Sequence, residues 1–163
     1  MSGSIFVLAL DPFLRMMCRL LPPTTNQLGA FADDIGIAAW NLYKSLRVAI
    51  ACFAVSHRAA GLELASSKTV LVFAAAPSRE VILQRLSQIG LQDHRFQISA
   101  CGRYLGLYLG PGGVERSWSG PCSKLYARSW NIKHLGLGFL KSVVQYNLRA
   151  FPVLSFVGQY CYP

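Results

Sequence analysis

An α+β fold, with a tight β-hairpin and short strands packed on helices ahead of a helical C-terminal segment, is what three features of this sequence predict. Two apolar segments, residues 28–32 and 35–40, flank an adjacent pair of acids, Asp33 and Asp34. Two strands joined by a tight turn would carry both carboxylates at an exposed tip. Apolar residues recur at helical spacing on either side of that hairpin. A second strand-like stretch, residues 103–110, runs into a Gly-rich turn, after which the pattern becomes helical.

The elements follow in order. Phe6, Leu10, Phe13, Met17 and Leu20 fall at helical spacing and predict a helix over 5–20, with Ser4 as its N-cap and Pro12 early in it or kinking it. Pro22 and Pro23 end it in a loop, and the hairpin over 28–40 follows. Asn41 is placed to cap a second helix over 42–60, which Gly61 would terminate. Residues 68–73 are rich in β-branched and aromatic side chains and read as a strand. Pro77 and Ser78 open a third helix over 79–89, closed by Gly90. Residues 103–110 read as a short strand or hairpin, and the turn at 110–113 is the one plausible domain boundary. Beyond it Trp118, Cys122, Leu125 and Ser129 share a helical face, residues 135–138 break the helix, and 139–148 form another.

The chain has 163 residues, enough for one domain with a sizeable core. Hydrophobic residues make up 53% and charged residues 14%, which excludes a disordered chain and leaves apolar surface that expects a partner or a further segment. Charges or prolines interrupt every apolar run before the roughly 20 residues that a spanning helix needs. The N-terminus lacks the basic region of a signal peptide, and Asp11 breaks its apolar run. Five widely spread cysteines with no C-x-x-C pair, and three histidines away from metal-ligand spacing, read as reduced thiols in an intracellular protein, nuclear or cytoplasmic, without a zinc site. The net charge is +9, unevenly spread: +2 over residues 1–75 and +7 over 76–163. A basic second half suggests a polyanionic partner, most simply nucleic acid.

An adjacent Asp-Asp pair in a chain this poor in acid suits Mg²⁺, a hard cation that takes oxygen ligands. Phe31-Ala32-Asp33-Asp34 is similar to the catalytic Tyr/Phe-Ala-Asp-Asp box of non-LTR retrotransposon reverse transcriptases. Ser2-Gly3 resembles the end of the family's template-contacting Gly-x-Pro-x-Ser-Gly loop. Gly61-Leu62-Glu63-Leu64 with Lys68-Thr69 resembles its Gly-Leu-x-Leu-Asn-x-x-Lys-Thr block, with Ala65 in place of the asparagine. Tyr104-Leu105-Gly106 resembles the Tyr-Leu-Gly block that contacts the primer. The blocks stand in the family's order and cover nearly the whole chain.

The resemblance implies a partial polymerase palm over 1–110 and the start of a helical thumb over 111–163. It implies an RNA-directed DNA polymerase, in which two Mg²⁺ ions roughly 4 Å apart drive nucleotidyl transfer, with RNA template and DNA primer as partners. Asp33 would ligate metal, Asp34 would ligate or assist, and Lys68 would lie near the triphosphate and protonate pyrophosphate. Ser2 and Gly3 would meet the template. Phe31 and Ala32 would meet the primer end, and Tyr104, Leu105 and Gly106 the primer strand. Apart from the resemblance, Arg116, Lys124 and Arg128 stand with Lys133, Lys141 and Arg149 among Trp118, Tyr126, Trp130 and Tyr146, an interleaving that suits duplex phosphates and stacking on the rings. Trp118 and Trp130, interleaved with these basic residues, are expected in the core. The family's other metal-binding aspartate lies on a strand before the Gly-x-Pro-x-Ser loop, and no residue here matches that position; the template-gripping fingers also have no counterpart. A lone Asp33-Asp34 pair should bind Mg²⁺ weakly, so the expectation is a polymerase fragment inactive by itself. The alternative is a non-catalytic nucleic-acid-binding remnant.

Overall fold

The computed structural model describes residues 3–75 and 77–162. The fold is mixed α+β and divides into two compact units, Met1–Leu71 with Pro77–Ser99, and Val72–Ala76 with Ala100–Pro163. The Gly-rich turn at 110–113 lies inside the second unit. None of the helices among the described residues is long and apolar enough to cross a membrane.

In the first unit, α1 (Gly3–Leu20) begins before Ser4, so Ser4 is a helical residue and not the expected N-cap. Pro12 lies within α1, where its missing N–H leaves the Leu8 carbonyl without a helical donor. The buried stripe is Leu10, Phe13 and Met17, continued by Leu21, and it packs on Ala49 and Cys52 of α2 (Leu42–Ala60). Phe13 and Phe53 stack in a tilted pair with ring centroids 4.7 Å apart, an arrangement aromatic quadrupoles favour. Both ends of α2 are set locally. The Asn41 side chain accepts from the Lys44 N–H at 3.1 Å, and Gly61 takes a left-handed φ of 69° that closes the helix on the His57 carbonyl.

Strands β1 (Asn26–Phe31) and β2 (Asp34–Ala39) pair antiparallel, with Phe31 opposite Asp34. Leu28, Ile35 and Ile37 pack on the α1–α2 core, which fixes the register because a one-residue slip would turn them to solvent. The Ser45 hydroxyl donates to Asn26 Oδ1 at 2.5 Å and ties the start of the hairpin to α2.

The predicted strand over 68–73 is shorter in the structure. Residues Ser66–Lys68 form a 3₁₀ turn, Thr69 turns the chain to an extended conformation, and the paired strand is Val70–Val72 (β3). The turn is held from a distance: the Ser66 hydroxyl and His94 Nδ1 are 3.0 Å apart, and the Gln97 amide donates to the Ser67 carbonyl at 2.7 Å. Strand β4 (Gln97–Ser99) pairs with β3. Between them α3 (Arg79–Gln88) buries Ile82 and Leu86. The Glu80 carboxyl in its first turn is held below the usual range by its own backbone N–H and by the Ser78 hydroxyl.

In the second unit, β5 (Gly102–Tyr104) and β6 (Leu107–Leu109) form a hairpin. It leads into α4 (Gly113–His134), which begins five residues before Trp118, the first residue of the face read from the sequence, and carries Pro121. Hairpin and helix lock together through Ser117, whose buried hydroxyl accepts from the Tyr108 N–H and donates to the Gly113 carbonyl, both at 2.8 Å. The helix expected over 139–148 is α5 (Phe139–Gln145) followed by a π-helical stretch, Tyr146–Ala150. α6 (Pro152–Tyr160) then closes the unit. Pro152 explains the loosening: it cannot donate to the carbonyl four residues back, and the Phe151 N–H reaches five back to Tyr146 instead, at 3.0 Å. The buried apolar side chains here are Cys101, Ile132, Ala150 and Val157.

All five cysteines are free thiols. Burial pushes the Cys52 thiol up from its ordinary value, which keeps it protonated and unreactive at neutral pH. Titration with a thiol reagent is therefore expected to label exposed Cys18 first, Cys122 and Cys161 next, and buried Cys52 and Cys101 only after denaturant is added.

Candidate functional site

The first candidate site is the tip of the β1–β2 hairpin. Phe31 closes the ladder against Asp34, leaving Ala32 and Asp33 as a two-residue turn. Ala32 has a φ of 52° and Asp33 is not left-handed. One positive φ at the first central position is the pattern of a type II′ turn, where glycine is the residue without steric cost. Ala32 therefore holds the tip under strain, on the order of 1–2 kcal/mol. Phe31, Ala32, Asp33 and Asp34 are all exposed. Asp33 belongs to the turn and Asp34 to the first position of β2, so the two carboxylates are adjacent in chain but placed by different local geometry.

Mg²⁺ demands octahedral oxygen coordination and gives up water reluctantly. Two exposed neighbouring carboxylates do not meet that demand by themselves. Among the described residues no group of three or more His, Cys, Asp or Glu side chains converges, at this tip or elsewhere. Lys68, expected beside the metal site, is the exposed last residue of the 3₁₀ turn. The one ion pair among the described residues joins Arg15 and Asp11 at 2.7 Å on α1, so Lys68 is not paired with either hairpin carboxylate. Gly3 is the first residue of α1, and Ser2 lies outside the described residues.

The second candidate site is the β5–β6 hairpin and the helix it rests on. Tyr104 pairs with Leu107, and Leu105 and Gly106 form the turn with φ values of 48° and 88°. Two consecutive positive φ angles make it a type I′ turn, normally Asn-Gly or Gly-Gly. A leucine there is strained, while Gly106 is needed twice over: a Cβ would come 3.3 Å from the Phe156 ring. Leu105→Asn is expected to raise stability by about 1 kcal/mol by relieving the left-handed strain, measured as the midpoint of urea denaturation; an unchanged or lower midpoint would mean the leucine is held by contacts worth more than the strain.

The basic residues of α4 are not equivalent. Arg116 directs one guanidinium N–H at Cys101 Sγ, 3.1 Å away. Arg128 donates to the Arg149 carbonyl in the π-helical stretch at 2.5 Å. Each retains further donors of its five for a phosphate. Lys124 is exposed and makes no such bond.

Trp118 lies half-buried, near Gly158 of α6, as expected of a core aromatic. Trp130 corrects the expectation: it is 61% exposed, with Lys133 Nζ 5.4 Å from its ring centroid and the His134 ring 4.6 Å away. The reason is the phase of α4. Its packed side carries Ser117, Trp118, Leu125 and Ile132, and Trp130 stands on the opposite side with Tyr126. The spacing Tyr126, Trp130, His134, every fourth residue, was the available signal.

Comparison with protein-family models, with curated proteins and with solved structures returned no match to this chain.

Proposed function

We propose that this chain is part of the catalytic domain of a reverse transcriptase, comprising a portion of an RNA-directed DNA polymerase palm and the start of its thumb, and that it binds nucleic acid without extending a primer by itself. The observation that carries this reading is the acidic tip: Asp33 and Asp34 at a strained two-residue turn between two packed helices, in a chain whose later residues carry the Tyr104-Leu105-Gly106 turn and a long basic helix. A tight, exposed hairpin suits carboxylates that must approach a primer terminus closely, with the small Ala32 beside them. The donor set is half of what two-metal chemistry requires, so no catalytic step is assigned to the isolated chain.

A primer-extension assay with Mg²⁺ or Mn²⁺ is expected to give no product; extension abolished by Asp33→Asn would show the site to be complete. Binding of an RNA–DNA hybrid is expected to weaken steeply with salt. Six phosphate contacts correspond to a loss of about 10³-fold between roughly 50 and 200 mM. Salt-insensitive or absent binding would sink the reading.

A second reading, a nucleic-acid-binding remnant without metal chemistry, is favoured by the lack of a third ligating side chain near the tip among the described residues. Mn²⁺ separates the two: selective broadening of the Asp33 and Asp34 amide resonances, lost in Asp33→Asn, supports the polymerase fragment, and a silent tip supports the remnant.

A further inference from the structure

We propose that the outer face of α4 is a stacking strip for the bases of a single-stranded nucleic acid. The inference rests on the nucleic-acid-binding reading above and goes beyond it, since a duplex keeps its bases stacked inside and offers these rings only its backbone. Tyr126 is 74% exposed, Trp130 is 61% exposed, and His134 is exposed beside it. The three planar side chains recur every fourth residue, about 6 Å apart along the axis, in a shallow spiral on one side of the helix. The opposite side of α4 is buried through Ser117 and Ile132, so these rings are surplus to the core.

Charge says what covers the strip. From Arg116 to the C-terminus the chain carries six Lys/Arg and no Asp or Glu. Lys133 sits over the Trp130 ring at 5.4 Å, where its ammonium can meet a phosphate while the indole meets the attached base. Alternating planar rings and cations are what single strands require: every base has a π-face, and the backbone needs neutralising. Leu135, Phe139 and Leu140 are also exposed beyond the strip, but the Lys133 ammonium beside the Trp130 ring and the lack of any Asp or Glu after Glu115 match a polyanion better than an apolar protein face, and a second copy of this chain would meet like charge.

The test uses the full chain and fluorescently labelled oligonucleotides of about 20 nucleotides: oligo(dT), oligo(U) and a mixed-sequence DNA duplex. The single strands are expected to bind more tightly than the duplex. Trp130→Ala and Tyr126→Ala are each expected to weaken single-strand binding about tenfold, the effect of losing one base–aromatic stack, with duplex binding unchanged. Both side chains are exposed, so circular dichroism melts should match the parent. Trp130→Phe, which keeps a ring, should recover most of the affinity. Equal losses for single strand and duplex, or variants that bind as the parent does, would overturn the strip and leave the nucleic-acid reading standing. No binding of any oligonucleotide would overturn both. Self-association of the chain that Trp130→Ala abolishes, without strand binding, would assign the face to a second copy instead.

Discussion

Met17→Ala is expected to lower the unfolding free energy of the first unit by about 2–5 kcal/mol, the cost of removing a buried side chain and leaving a cavity behind. Met17 is wholly buried at the centre of the cluster formed by Leu10, Phe13, Leu21, Ala49 and Cys52. α1 approaches α2 through this one layer, so neither helix can slide to close the gap without disturbing the Phe13–Phe53 pair. The volume-conserving Met17→Leu should cost less than about 1.5 kcal/mol. Urea denaturation with a thiol reagent present reads the right unit, because Cys52 belongs to the same cluster and is 1% exposed. Its labelling should move to lower urea in Met17→Ala. Unchanged labelling would mean that α1 does not hold the core.

The second large effect contrasts two glycines of one helix. Gly113→Ala is expected to destabilise the second unit by about 1–3 kcal/mol, as overpacking against rigid neighbours does. A Cβ at Gly113 would run into the Tyr108 carbonyl group, which is backbone already fixed by the Ser117 hydroxyl. Gly120→Ala, seven residues further along, should stabilise by about 0.5–1 kcal/mol, because alanine loses less conformational freedom in a helix. A Cβ at Gly120 meets nothing within 4 Å. Thermal melts of the two variants should therefore shift in opposite directions. A shift in the same direction would show that the β5–β6 hairpin is not seated on the start of α4.

What was legible in the sequence was local. The limits of α2 were readable to the residue because Asn41 and Gly61 act on their own neighbours. The β1–β2 hairpin was readable because two apolar strands bracket a turn too short to be anything else. The strand at 68–73 was overextended, since His94 and Gln97, nearly thirty residues away, pull 66–68 into a 3₁₀ turn, and no local pattern announces that. The start of α4 was hidden behind glycines and a proline that read as a break; Gly112 in a left-handed conformation opens the helix and Ser117 secures it. At the candidate site, the acidic tip was foreseen and its strain was not, because alanine has no preference for a positive φ. Trp130 was misplaced because periodicity gives the face a residue shares and not which face is covered.

Among the described residues each of the three sheets is two strands wide, which governs how the molecule breathes. A two-stranded ladder has no interior strand: in an antiparallel pair alternate backbone amides point outward from each strand, away from its partner. Outward amides of β1, β2, β5 and β6 that meet only solvent exchange without any opening, whereas those of Asn26 and Tyr108 are held by the Pro22 carbonyl and the Ser117 hydroxyl. The inward amides lie one local fluctuation from exchange, while those in the middle of α2 wait for a larger event. Proton exchange will sort the chain into fast hairpins on slow helices. The acidic tip, at the far end of the faster class, can be drawn toward a ligand without the α1–α2 core having to loosen.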